Sequence, residues 1–458
     1  MEKGSEKNTN KGIIFGVLLS GCILSSAIQT ALNTALAPIM QEMSIQAGTA
    51  QWLASIYSLV MGVIVLATGF LIKRIPNRTL FITSMALFDA GLLLSAVAPV
   101  FAVLLIGRIL QAAGCGILMS LTQVILLSMY PASKRGTIMG IYGLAVCATP
   151  ILAPTAAGFI IDSSGWRTIF MGAFVIGIII LALGIFLMKN ISETRKLSFD
   201  LLSFSIGSAG FTLLVIALGN WSRSSFFSFS VIGLIVIGIL LILVFIYRQT
   251  HIAEPFLHME PFKDKNFRWA VITSVLLYCI MMAGSTLIPL YIQSYRGLSA
   301  VTYGLVAMPG SIITAVCSFI GGKLYDKLGI RKIYVIASAF VIAGNLPFAF
   351  LNETTSPVLV SVVFALRSVG IGLLMMNVVT WGMSRLESQL IADGTALISS
   401  MRTIAGAAGS AVFVSIMTIA AKGTSNPEMI HGVCIAFLVL TIMSAFMMII
   451  GLAKTEAA

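Results

Sequence analysis

Long apolar runs separated by short polar or basic breaks dominate the 458-residue chain. Fourteen runs can be drawn. Their approximate limits are 13–38, 51–72, 80–98, 101–128, 136–161, 168–188, 201–218, 226–247, 269–292, 302–323, 333–351, 357–383, 394–420 and 430–453. Each is about 20 residues or longer, enough at ~1.5 Å per residue to cross a hydrocarbon layer about 30 Å thick. The pattern predicts an all-α membrane protein with 14 transmembrane helices. Connections on one side are very short, as at Ala98-Pro99 and from Asn352 to Ser356. Function is therefore expected among the helices, not in an external domain.

Composition sharpens this picture by exclusion. With 58% hydrophobic and only 10% charged residues, the chain is far from the roughly 25% charge of soluble domains. A globular cytosolic enzyme and a secreted disulfide scaffold are both excluded. The six cysteines fall inside predicted spans without paired spacing, which suits buried free thiols. His251, His258 and His431 form no metal-ligand pattern, and no cofactor is expected. Three lysines followed by apolar sequence from Gly12, with Ala35-Leu36-Ala37 beyond, imitate a signal peptide. The apolar run is too long for one and Pro38 would follow the cut, so this segment reads as a retained span.

The net charge of +12 comes without a basic stripe or an aromatic-rich basic motif, so no nucleic-acid partner is expected. Sorting the 28 Lys and Arg by loop explains the charge better. Twenty-one lie on one side, and only Arg167, Arg223, Arg296 and Lys422 on the other; Arg108, Arg367 and Arg402 lie within spans. By the positive-inside rule both termini are expected in the cytoplasm, in agreement with an even number of spans.

A long-period repeat is also visible. Gly69-Phe70-Leu71-Ile72-Lys73-Arg74 follows span 2, and Gly322-Lys323-Leu324-Tyr325-Asp326-Lys327 follows span 10, 253 positions later. Two spans beyond each comes an intramembrane arginine, Arg108 and Arg367. Two related halves rocking about a midplane site is the architecture of many secondary transporters. The expected division is a six-helix bundle at 1–190, an inserted hairpin of spans 7 and 8 at 191–250, and a second six-helix bundle at 251–458.

Gly322 to Lys332 resembles the loop signature of the major facilitator superfamily, Gly-x-Leu-x-Asp-Lys/Arg-x-Gly-x-Arg-Lys, with Gly322, Asp326 and Arg331 at its key places. Arg108 with Gln111, Gly114 and Gly116 resembles the fourth-helix motif, and Pro150, Pro154 and Gly158 resemble the fifth-helix signature of drug antiporters. Trp166-Arg167-x-Ile169-Phe170, Pro289-x-Tyr291-x-Gln293 and Arg402-x-x-x-Gly406-x-x-Gly409 are similar to the fourteen-span drug:proton antiporter branch. Three departures stand out. Lys73 replaces the family's aspartate and Pro76 its glycine, Ala153 and Ala157 replace two glycines, and Gln29 stands where the branch carries a first-helix aspartate.

Proton coupling needs a titratable group that water can reach. Asp89 is the one acid deep within a predicted span, 11 residues past Arg78 and 10 before Pro99. A charged carboxylate at such a depth costs about 2.5–3.5 kcal/mol on insertion scales, so pairing, hydration or protonation is expected. Arg108 lies at nearly the same depth on the next helix, which allows a pair if the faces agree. A fixed structural pair, or an Asp89 hydrogen-bonded to helix neighbours, is the alternative. The resemblance supports that alternative by placing the third helix at the periphery. Arg108 and Arg367 are too deep to snorkel easily, whereas Arg402 can reach the cytoplasmic end. Any of the three offers a fork for an anionic substrate.

The resemblance puts spans 1, 2, 4, 5, 9, 10, 12 and 13 around a central cavity. Candidate lining residues there are Gln29 and Asn33, one helical turn apart, with Trp52, Tyr57, Tyr278, Met281, Met282, Tyr291, Gln293 and Asn377. Aromatic faces attract cations, and methionine adapts to varied apolar ligands. Pro150 and Pro154, one turn apart, remove backbone hydrogen bonds and suit a gating seam. Gly158, Gly322, Asp326, Arg331, Arg367 and Arg402 complete the conformational candidates.

The resemblance implies a monomeric, proton-coupled multidrug efflux antiporter in the bacterial cytoplasmic membrane, exporting amphipathic or apolar drugs by alternating access. A dedicated transporter of one metabolite, lipid or siderophore on the same fold is the alternative. An enzyme lacks a membrane-depth cluster of carboxylates, histidines or a Ser/His pair, and a channel lacks a repeated selectivity ring.

Overall fold

The structure, a computed structural model, describes residues 2–45, 47–50, 52–190, 200–221, 228–252, 255, 257–421, 423 and 425–455. Among these, 13 helical stretches are long and apolar enough to cross a membrane. One of them, Thr302–Phe350, is 49 residues long. It turns at Gly329, whose φ of 71° and ψ of 176° lie outside helical space and suit a residue without Cβ. That kink divides it into two helical stretches, so the described residues form about 13–14 apolar helices.

The helices are α1 (Glu2–Glu42), α2 (Trp52–Arg74), α3 (Asn77–Ala96), α4 (Phe101–Met129), α5 (Ala132–Ser164) and α6 (Arg167–Leu187). Then follow α7 (Leu201–Trp221), α8 (Leu234–His251), α9 (Lys265–Pro289), α10 (300–328), α11 (330–345), α12 (Pro357–Met375), α13 (Ile391–Ala420) and α14 (Asn426–Lys454). Limits differ from the apolar runs by a few residues. The last turns of span 12 break at Met376 into a separate turn, Asn377–Gly382, because φ and ψ there depart from the regular helix. Among the described residues there is no strand. The expected boundary at residue 191 falls on 191–199, outside the described residues.

Buried apolar side chains form two clusters. One is drawn mainly from α1–α6, with Leu18, Phe81, Phe88, Leu118 and Phe170, and reaches Ile391 and Ile398 of α13. The other is drawn from α9–α14, with Leu277, Tyr334, Phe348, Leu374 and Phe437. Glycines set the closest helix pairs. A Cβ at Gly114 would meet the backbone and side chain of Phe88, and one at Gly91 the Gln111 side chain, so α3 and α4 approach at backbone distance. The α7–α8 hairpin lies against both groups, with Phe211 of α7 filling the place of a side chain at Gly62 of α2, beside Thr403 of α13. Exposed apolar residues such as Phe186, Val236, Leu240 and Val358 cover the outer surface, as lipid contact requires.

Lys11 and Lys454 each bind residues at a helix end. Lys11 Nζ donates to Met129 O at the end of α4, and the Lys454 ammonium sits over the Trp269 ring near the start of α9. Lys73, Lys134 and Lys327 mark the end of the bundle here called the basic end.

Candidate functional site

The two helix groups are joined at the basic end. Asp326, at the α10–α11 turn, accepts hydrogen bonds from Gly136 N–H (2.9 Å), Thr137 N–H (2.7 Å) and the Thr137 hydroxyl (2.5 Å). These donors belong to the second turn of α5, close enough to the positive end of its dipole to favour an anion. Gly322 packs on Gly136 and Gly140, and a Cβ at Gly143 would meet Ser318 and Met376, so glycine is what lets α5 and α10 touch. Higher along α5, Cys147 Sγ lies 3.7 Å from Met375 Sδ. Beyond it Pro150 and Leu152 are exposed, and nothing approaches the position of a Cβ at Gly158. The seam is shut from Gly136 to Cys147, and from its first proline onward α5 exposes Pro150, Leu152 and Phe159 while Ala157 stays buried.

A second clasp joins α2 to α13. The Lys73 ammonium pairs with Asp393, which is wholly buried, and His258 Nδ1 stands 3.3 Å from Asp393 and 3.1 Å from Lys73. Asp393 and His258 are functional candidates that sequence reasoning missed. The signal was the lysine at the repeat position where Asp326 stands: an inverted charge at a matched place calls for an acid on the facing helix.

Asp89 is buried, with 2% of its surface exposed. It does not pair with Arg108. Neither carboxylate oxygen has a hydrogen-bond partner, and the side chain points at α6, where a Cβ on Gly177 would strike it. The expected face agreement fails because the helix rotation that lets α3 and α4 interlock through Gly91 and Gly114 turns Asp89 the other way. Arg108 is instead held by neutral groups. It donates to Gln111 Oε1 (2.6 Å) and Leu53 O (3.3 Å), with its guanidinium 4.2 Å from the Tyr57 ring. Gln111 passes this on to Gly91 O and Ser95 Oγ, so the fourth-helix arginine knits α2, α3 and α4 together. Arg367 is tied in the same manner to Ile280 O and Met281 O of α9, and its Nε is sealed without a partner.

Arg402 differs from both. It is 5% exposed and donates to the Tyr278 hydroxyl at 2.5 Å, with the ring 4.0 Å from the guanidinium carbon. Snorkelling to the basic end is not what this arginine does. It lies instead close enough to Tyr142 and Cys147 of α5 to act on them electrostatically, at the upper limit of the closed seam. Met282 lies beside Tyr278 there, next to the place of a side chain at Gly406.

The remaining candidates scatter. Tyr57 is buried under Arg108, Gln29 and Met281 are half-buried, and Trp52 is 51% exposed. The Asn33 side chain lies outside the described residues. Tyr291 donates to Asn352 O (2.7 Å), fastening the α9 end to the α11–α12 connection, and Gln293 is exposed near that end. Asn377 donates to Leu373 O (2.7 Å) and packs against Gly321, while Arg331 is exposed. Pro154 is half-buried within α5. Among the described residues no group of three or more His, Cys, Asp or Glu could hold a metal ion.

Comparison with known proteins gives consistent results. The model of the Major Facilitator Superfamily matches residues 18–200 and 193–410. The chain is 34% identical over 443 residues to the uncharacterized MFS-type transporter YcnB of Bacillus subtilis (strain 168), covering 96% of this chain and 94% of that one. It is 33% identical over 419 residues to the lincomycin resistance protein LmrB of the same organism, covering 91% and 87%. Among solved structures, the human organic anion transporter MFSD10 (TETRAN) superposes with a TM-score of 0.68 at 12% identity, covering 94% of this chain and 99% of that one, which is a likeness of fold.

Proposed function

The chain belongs to the Major Facilitator Superfamily, and from that premise we propose that it exports amphipathic or apolar small molecules by alternating access, driven by proton entry. The observation that carries this reading is the pair of clasps at one end of the bundle, Asp326 on α5 and Lys73 on Asp393. A transporter of this kind needs two helix groups that part at one end while meeting at the other. Here the contacts that shut one end are polar, short and local, and can be exchanged for water when the groups rock. With the basic end in the cytoplasm, as the distribution of lysine and arginine favours, the state is closed inward and open outward. LmrB's name adds weight to drug export in particular.

Proton drive rests on less. Asp89 supplies a buried, unpartnered carboxylate, but between α3 and α6 it acts on the transport path through helix packing and not by contact. Inside-out vesicles energised with a pH gradient test both parts. The wild type is expected to accumulate an amphipathic dye and to lose the uptake when the gradient is collapsed. Asp89→Asn is expected to abolish the gradient dependence with the protein still in the membrane. Unchanged exchange would assign Asp89 to packing, and uptake indifferent to the gradient would remove proton coupling.

A further inference from the structure

Three arginines are buried among the helices, and two of them tie neighbouring helices together through neutral groups. Arg108 spends its donors on Gln111 and Leu53, and Arg367 on two carbonyls of α9. Arg402 is bound to one acceptor, the Tyr278 hydroxyl, although a guanidinium carries five N–H donors in a fixed fork. None of its nitrogens is among the sealed, partnerless atoms, in contrast to Arg367 Nε, so its free donors face accessible space. Among the described residues no carboxylate forms an ion pair with it. The guanidinium therefore faces no acid among the described residues where it stands near Tyr142 and Cys147 of α5, with Pro150 and Leu152 exposed beyond them.

From this geometry we propose that Arg402 and Tyr278 form an anion subsite, and that the cargo is an amphiphile carrying a carboxylate, phosphate or sulfonate group. The inference rests on the transport reading above and narrows it. A guanidinium matches such groups with two parallel hydrogen bonds, and in a site of low dielectric this attraction is far stronger than in water. Tyr278 holds the guanidinium plane by stacking and by its hydroxyl, so little side-chain freedom remains to be lost on binding. Met282 and Gly406 beside the fork leave an apolar wall for the rest of the ligand. The same charge repels organic cations, for which the described residues around Arg402 offer no acid.

Three dansyl compounds of similar length and different head charge separate the possibilities: dansyl-aminohexanoic acid, its carboxamide and dansylcadaverine. Equilibrium binding to the purified full-length protein reports the subsite, and uptake into inside-out vesicles reports transport. The carboxylate is expected to bind about tenfold or more tighter than the amide, which is the scale of a charge-assisted hydrogen-bonded pair, and the cation weakest. Arg402→Gln is expected to erase the preference for the carboxylate while amide binding stays. Arg402→Lys should keep part of it, and Tyr278→Phe should lower it a few-fold with the stack intact. These two milder variants serve if Arg402→Gln does not fold. Carboxylate binding unchanged in Arg402→Gln, a wild type that favours the cation, or no binding of any probe overturns the subsite. Arg402-dependent binding without uptake would leave the subsite standing and overturn the transport reading instead.

Discussion

Asp326 and Lys73 occupy matched places in two copies of one loop pattern and carry opposite charges, yet each closes the same end of the molecule. A carboxylate can rest directly on N–H groups in the second turn of α5. An ammonium cannot, and Lys73 is accommodated because Asp393 lies in the first turn of α13 and reverses the sign there. Lys73→Asp alone is expected to set two acids against each other across the seam and weaken it by about 1–3 kcal/mol, while Lys73→Asp with Asp393→Lys restores much of the loss. Disulfide trapping between cysteines placed across the seam would measure both.

A second residue-scale prediction concerns Gly177. Its missing Cβ makes room for the Asp89 carboxylate, so Gly177→Val should cost about 1–3 kcal/mol in denaturation midpoint, and Asp89→Ala in the same chain should return part of it. At the opposite end, the carboxyl of Glu42 is held below its usual range by hydrogen bonds from Arg167 and then Trp166 N–H. A lowered folded-state value stabilises above the unfolded pKa of about 4.3 and is lost as pH falls through the folded one. The thermal-stability gap between wild type and Glu42→Gln should accordingly be full at neutral pH and close below about pH 4.

At the scale of elements, the α7–α8 hairpin is more than an insertion between bundles. Phe211 enters the gap at Gly62 and touches the α2–α13 line, the same pair of helices that Lys73 and Asp393 clasp at their basic ends. Gly62→Leu is expected to push the hairpin outward, costing about 1–3 kcal/mol, and Phe211→Ala to rescue it; unfolding of the purified pair reads this directly. The prolines of α5 mark a change of regime along one helix. Before them, glycines at 136, 140 and 143 pack against α10; after them, most of the helix surface is exposed, with Ala157 still buried.

For the whole molecule, alternating access predicts sidedness. Cysteines at 163 or 352 should react with an impermeant thiol reagent in intact cells, and one at 327 only in inside-out vesicles. Labelling of position 327 from outside would reverse the topology assigned from the basic loops. The all-helical fold and its count of about 13–14 apolar helices were legible from the chain, because bilayer crossing depends on local apolar length, which is a one-dimensional property. The turn at Gly329 agreed with the break between two apolar runs for the same reason.

Which way a side chain faces within its helix is another matter. Asp89 and Arg108 share a depth, and nothing in a uniformly apolar helix marks which side meets α4 and which meets α6. Interlocking glycines decided that, and Gly177, 88 positions away, received the acid. The Arg402 fork likewise depended on Tyr278, 124 positions distant. Local composition determined that this chain lives in a membrane and how often it crosses. Tertiary packing alone decided which neighbours each buried charged side chain meets, because rotation about a helix axis is set by neighbours that the local sequence does not contain.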